Sequence, residues 1–280
     1  MTTAASRLPI PDVQGSADAR HIAIDKVGVK DVTYPMRLRM PSATCGAGGG
    51  EQSTVASISM YVSLPHHQKG THMSRFVEVL NEHQGAITPQ DIPGLTKAIR
   101  ERLHAADAHF ECSFTYFIKK LAPVTGQPGL MDYKVSFRCS VGGPAGDEVD
   151  FIMGVMAPAT SLCPCSKEIS RFGAHNQRCH IEAKVRMDPA KPILWIEELV
   201  KLLEGSASTE VFAVLKRPDE KFVTEAAYEN PKFVEDIVRD LAISLDREDR
   251  ITWYQINSEN FESIHNHNAY AQITRDKRHA

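Results

Sequence analysis

The chain has 280 residues, of which 24% are charged and 42% hydrophobic, with a formal net charge of −3. This length holds one large domain or two of ordinary size, and the composition excludes a disordered chain. No apolar run is long enough to cross a bilayer, and the slight negative charge excludes whole-molecule attraction to nucleic acid or an anionic membrane.

In chain order, residues 1–20 read as a mobile arm lacking the basic and then apolar pattern of a secretory signal, which predicts a cytoplasmic protein. "HIAIDKVGVKDVTYPMRLRM" and "TVASISMYVSL" follow as predicted strands, joined by the glycine-rich loop "CGAGGGEQS". That loop lacks the Gly-Lys-Ser/Thr ending of a phosphate-binding loop and precedes a strand, so it reads as a hairpin connection. Two helices are predicted next: "MSRFVEVLNEH", then "TPQDIPGLTKAIRERLHA" with Thr88 as N-cap and Pro89 at the first helical position. "HFECSFTYFIKKL" and "YKVSFRCSV" return to strand. In the second, Val135, Phe137, Cys139 and Val141 share one face.

The order then repeats. "EVDFIMGVMAPAT" and "HIEAKVRM" are predicted strands, and "WIEELVKLLEG", "TEVFAVL", "DEKFVTEAAYE" and "PKFVEDIVRDLAISLD" predicted helical segments. The last carries Asn230 as cap, Pro231 at the first position, and an apolar stripe through Val234, Ile237, Val238, Leu241 and Leu245. "RITWYQINS" and "ESIHNHNAYAQIT" close the chain as strands. The predicted class is α+β: two ββααββ modules, residues 21–145 and 146–276, each an antiparallel sheet with its helices on one face. Open sheet edges of this kind predict an oligomer.

Chemistry concentrates in "SLCPCSKEISRFGAHNQRCHIEAKVRM". Six cysteines are too few for a disulfide scaffold, and a Cys-Pro-Cys run is badly placed to bridge itself. Cys163 and His175 offer a thiolate and an imidazole. A catalytic metal needs a third ligand and an open position, and Cys179, His180 or a carboxylate from the helical region could supply it. Taken alone, Glu210 is a first-turn carboxylate favoured by a helix dipole, and Glu225 an i,i+4 partner of Lys221. His265 and His267, two apart in a predicted strand, share a face and suit acid–base work, and Glu262 joins them only if the strand begins or bulges near Ser263. Lys69, His72, Ser74 and Arg75 could seat an anion at a helix N-terminus. Lys216, Arg217 and Lys221 form a second cationic run.

Together, "KGTHMSRF", "SLCPCSKEISRFGAHNQR", "LKRPDEKFVTEAAYENPKFVED" and "NFESIHNHNAYA" resemble the type IB GTP cyclohydrolase I family over nearly the whole chain. The resemblance implies tandem tunnelling-fold modules assembling into an oligomeric barrel, with a homotetramer and sites at module or subunit interfaces. It implies conversion of GTP to 7,8-dihydroneopterin triphosphate and formate, the first step toward tetrahydrofolate. Carried over by position, Cys163, His175 and Glu210 would hold a divalent metal, Mn²⁺ or Zn²⁺ with Fe²⁺ also compatible. Glu225 would anchor guanine, and Glu262, His265 and neighbouring His267 would move protons. Lys69, Arg75 and Lys216 are the candidates for the triphosphate. Two rivals remain at this stage: a nitrile reductase with a nucleophilic cysteine, and a purine- or pterin-binding module with a structural zinc.

Overall fold

The structure, a computed structural model, describes residues 11–41, 49–83, 85–143 and 148–279. Its nine strands are β1 (Ile24–Met40), β2 (Gly50–Leu64), β3 (Ala108–Leu121), β4 (Pro128–Gly142), β5 (Glu148–Leu162), β6 (Asn176–Met187), β7 (Thr209–Glu210), β8 (Ile251–Asn260) and β9 (Ala269–Asp276). The helices are α1 (Met73–Glu82), α2 (Asp91–Arg102), α3 (Pro164–Ile169), α4 (Ile196–Gly205), α5 (Arg217–Glu229) and α6 (Val234–Arg247).

All strands belong to one antiparallel sheet in the order β1-β2-β3-β4-β5-β6-β8-β9, with β7 beside β5. This corrects the expected pair of tandem tunnelling-fold ββααββ modules, each with its own sheet and helices. β4 and β5 pair directly across the supposed seam, from Gly142↔Glu148 to Lys134↔Met156. Pairing satisfies the backbone groups that two separate sheets would leave open at their edges. A single hydrophobic core also crosses the seam. It joins Phe76, Ile92, Phe110 and Phe137 to Val155, Ile181, Leu199, Leu241 and Tyr254.

Alternation set the face of β4 correctly: Val135, Phe137, Cys139 and Val141 are all buried. The stripe of α6 is buried at every predicted position, Val234, Ile237, Val238, Leu241 and Leu245. Four local readings are corrected. α2 begins at Asp91 rather than beside Thr88, because the Asp91 carboxylate accepts from both the Thr88 N–H and its hydroxyl, each at 2.7 Å. α6 begins at Val234, and the Asn230 amide instead donates to the Ala207 and Ser208 carbonyls. "TEVFAVL" is no helix: its first two residues are β7, which pairs with Ala159 and Thr160 of β5 beyond the last β4 pair at Met156. "ESIHNHN" is a loop, and β9 starts only at Ala269. Residues 45–48 of the glycine-rich loop lie outside the described residues, and its last four residues belong to β2.

The register fixes where chemistry can gather. Cys163 follows the end of β5, where Leu162 pairs with Asn176 at the start of β6, and the β8–β9 connection lies at that same end. Lys69 and Arg75 follow the end of β2, where Val62 pairs with Ala108, the residue that in turn faces Val141 at the end of β4. These are opposite ends of the sheet.

Candidate active site

Cys163 caps α3, with Pro164 at the first helical position. Its sulfur accepts from the Ser166 N–H at 3.3 Å. The Ser166 hydroxyl donates to the Cys163 carbonyl and accepts from the His175 N–H at 3.2 Å. The Cys163 N–H donates to the His175 carbonyl at 3.1 Å. Cys163 and His175 are therefore locked together by backbone and by one serine, and both side chains remain partly accessible.

His175 Nδ1 lies 3.0 Å from Oε1 of buried Gln177 and 3.3 Å from the Ser263 hydroxyl. The amide oxygen of Gln177 only accepts, so this contact favours the tautomer with the proton on Nδ1, which leaves Nε2 to present its lone pair. Nε2 has no protein partner among the described residues. An imidazole oriented through one nitrogen, with the other open, is the usual arrangement of a metal-ligating histidine.

Glu210 stands elsewhere. On β7 it faces Ala159, four residues before Cys163, a separation of about 13 Å along the strand. Its Oε2 accepts from Lys120 at 2.7 Å, and the same ammonium reaches Glu204 at 2.8 Å and lies 4.5 Å over the Phe212 ring. Burial pushes the Glu204 carboxyl up against the opposing pull of Lys120 and of the Tyr133 hydroxyl. Among the described residues no group of three or more His, Cys, Asp or Glu side chains is assembled as a metal site. Two of the three proposed donors fit a metal; the third is not brought to them within one chain.

The alternative ligands fare worse. Cys179 is fully buried in the core, and burial pushes its thiol up to about 12. His180 packs edge-on against Phe261 with ring centroids 4.7 Å apart, and burial lowers its pKa.

Glu225 is on exposed α5, 3.7 Å from Lys221 as the i,i+4 spacing predicted. The structure adds what spacing could not show. Glu225 lines a cleft of about 430 Å³ with Leu162, Phe172, Gly173, Ala174, Asn176, Thr224, Tyr228 and Glu229. The cleft walls thus include the residues flanking both Cys163 and His175. α5 itself is anchored by Asp219, which accepts from the N–H groups of Lys216, Val124 and Thr125 and from the Thr125 hydroxyl. Burial pushes that carboxyl up, but the hydrogen bonds outweigh it and hold it well below the usual carboxylate range.

His265 and His267 are exposed in the β8–β9 loop, their rings stacked at 5.1 Å and 19°, and Glu262 is part-buried in the same loop. The Ser263 contact ties this loop to His175. Lys216 is an exposed residue capping α5, whereas Lys69 and Arg75 lie at the far end of the sheet. Gln177, Ser263, Lys120 and Phe172 were not singled out from sequence. Only Gln177 carried a signal, its i+2 spacing from His175 at the start of a strand.

The chain matches, over residues 10–271, the family described as type I GTP cyclohydrolase folE2. It is 52% identical over 269 residues to GTP cyclohydrolase FolE2 of Nitrosococcus oceani, covering 96% of each chain. The chain belongs to the type I GTP cyclohydrolase folE2 family. It is an enzyme of that class, and this description replaces the type IB tunnelling-fold label. The FolE2 proteins of Magnetococcus marinus (54% over 267 residues, covering 95% of this chain and 96% of the relative) and Geobacter sulfurreducens (51% over 271 residues, covering 97% and 100%) agree. Among solved structures, a uricase from Bacillus fastidious superposes with a TM-score of 0.55 at 10% identity, covering 91% of this chain and 94% of the other. A hyperthermostable mutant of Bacillus sp. TB-90 urate oxidase gives 0.54 at 8%, covering 92% and 100%. At such identity the likeness shows the fold alone, and it supports the continuous antiparallel sheet over separate modules. Among the described residues no helix is long and apolar enough to cross a membrane.

Proposed function

We propose that this chain converts GTP and water to 7,8-dihydroneopterin triphosphate and formate, in the cytoplasm, as the first step toward tetrahydrofolate. The observation that carries the reading beyond the family is the cleft in which Glu225 meets the segments bearing Cys163 and His175. A carboxylate accepts simultaneously from a guanine ring N–H and its exocyclic amine, a bidentate charge-assisted pair. It would therefore fix the base by its pyrimidine edge and leave the imidazole edge for reaction.

Cys163 and His175 would hold a divalent cation, Mn²⁺ or Zn²⁺ with Fe²⁺ also compatible, and Glu210, which is not brought to them within one chain, would have to come from a neighbouring copy to complete the ligand set. When bound, such a cation supplies Lewis acidity for attack of water at C8 of the purine. The remaining work belongs to side chains. Gln177 and Ser263 keep the His175 ring oriented. Glu262 and His265 would carry protons to the ring nitrogens as C–N bonds break and then through the sugar rearrangement, with His267 stacked on His265. Lys216 would meet phosphate at the start of α5. Lys69 and Arg75, at the opposite sheet end, would serve the triphosphate of a neighbouring copy. The reading therefore includes a homo-oligomer, a tetramer, with sites at its interfaces.

Purified protein with GTP should release formate and a pterin in equal amounts, the pterin becoming fluorescent after oxidation. Binding of GTP with neither product, in folded protein supplied with each of the three ions, would instead favour a binding module.

A further inference from the structure

Phe172 is 90% exposed, an unusual position for a large aromatic side chain, which normally gains stability by burial. It precedes Gly173, whose φ of +126° lies in the region that favours glycine. A Cβ at Gly173 would meet nothing within 4 Å, so the backbone conformation, not crowding, requires the glycine. This turn separates Phe172 from His175, whose chain neighbours Ala174 and Asn176 line the same cleft as Phe172.

A second aromatic ring lines the same cleft. Tyr228 is 41% exposed and three residues from Glu225, so the two share a face of α5. Lys167 anchors Tyr228: its ammonium lies 4.4 Å from the ring centroid and donates to the Tyr228 carbonyl. The cleft thus offers two aromatic side chains and two carboxylates, Glu225 and Glu229, within about 430 Å³. Guanine presents two π-faces and, on its pyrimidine edge, two adjacent N–H donors, which aromatic rings and a carboxylate complement.

We propose that Phe172 and Tyr228 are the stacking walls of the purine subsite, a role that rests on the GTP reading above. The division of labour follows from the chemistry. Stacking grips any purine, because every base has a π-face, whereas the Glu225 carboxylate selects the guanine edge. Phe172 therefore sets affinity for purine nucleoside triphosphates in general, and Glu225 sets the preference among them.

The test uses the full-length protein and the variants Phe172→Ala, Phe172→Leu and Phe172→Trp, with melting curves as a folding check. Formate release gives KM and kcat, equilibrium dialysis gives Kd for GTP and ITP, and sedimentation gives the assembly state. Loss of one stack should raise KM and Kd for both nucleotides about tenfold, with kcat within about twofold. Leu should fail as Ala does, and Trp should restore affinity. Unchanged KM and Kd in both Ala and Leu, with wild-type turnover intact, would overturn the subsite and leave the activity standing. Dissociation of the assembly in Ala, repaired by Leu together with affinity, would make Phe172 a subunit contact and also overturn it. Wild-type protein that forms no formate, yet binds GTP in a Phe172-dependent way, would leave the subsite standing and remove the cyclohydrolase reading.

Discussion

Replacing Gln177 by Leu removes the one buried acceptor that orients His175. Gln177 is 8% exposed and its Oε1 lies 3.0 Å from Nδ1, whereas the remaining partner, the Ser263 hydroxyl, is at 3.3 Å on an exposed loop. Leu fills nearly the same volume, so the core beside β6 stays packed. The imidazole then keeps only the Ser263 hydroxyl on Nδ1, and the tautomer that presents Nε2 is no longer held by a buried acceptor. Loss of such an outer partner costs roughly 10- to 100-fold in metal affinity, or about 1.4–2.8 kcal/mol. Competition with a chromophoric chelator reads Zn²⁺ affinity directly, without reference to turnover. Gln177→Glu, which keeps an acceptor and adds charge, should hold affinity within about threefold of wild type or improve it. If Gln177→Leu binds Zn²⁺ as tightly as wild type while Cys163→Ala does not, His175 is no ligand and the two-donor argument fails.

Further outcomes follow from the same geometry. Glu225→Gln should raise Kd for GTP at least tenfold and narrow its margin over ITP, read by equilibrium dialysis; unchanged discrimination would remove Glu225 from the base edge. Asp219→Ala strands the N–H groups of Lys216, Val124 and Thr125 and should lower stability by about 3 kcal/mol in urea denaturation, with Asp219→Asn intermediate. A loss under about 0.5 kcal/mol would contradict the anchoring role. Burial lowers the pKa of His109 and His180. The unfolded chain then binds more protons below about pH 6.5, so the stability these residues preserve is complete above that pH and falls as pH drops toward their folded values. Melting temperature should decline from pH 7 to 5, and His109→Gln with His180→Gln should flatten the decline. An unaltered slope would assign the acid sensitivity to other groups.

Much of this molecule is legible in single residues and short periods. Alternation placed the core face of β4, and the 3.6-residue stripe placed α6, because each pattern reflects a face that must be buried. The sheet's continuity was not legible in that way. Pairing of β4 with β5 is a matter of global register, and the sole local hint was the turn chemistry of "GGPAGD" between two strands. "TEVFAVL" has an apolar content that suits either state, and a vacancy beside β5 past Met156 made Thr209 and Glu210 a strand. "ESIHNHN" alternates like a strand, but its Ser and Asn residues favour turns, so His265 and His267 stack in a loop.

The site divides along the same line. Cys163 and His175 stood out because reactive side chains were compressed into one short block, and the fold does join them. The distant partners are set by packing, which no spacing encodes. Lys120 reaches Glu210 from the end of β3, and α5 carries Glu225 to the loop before β6. Lys69 and Arg75 looked adjacent in chemistry to the rest, yet sheet register puts them at the other end, where only a second copy could use them here.

The central claim is that the Cys163–His175 pair binds the ion on which GTP turnover depends. Protein stripped with chelator and reloaded separately with Mn²⁺, Zn²⁺ or Fe²⁺ should recover formate release with at least one ion, at one ion per chain. Cys163→Ala and His175→Ala should each lose both the bound ion and the activity while keeping GTP affinity. Full turnover by the stripped protein, or by either variant, would contradict the account.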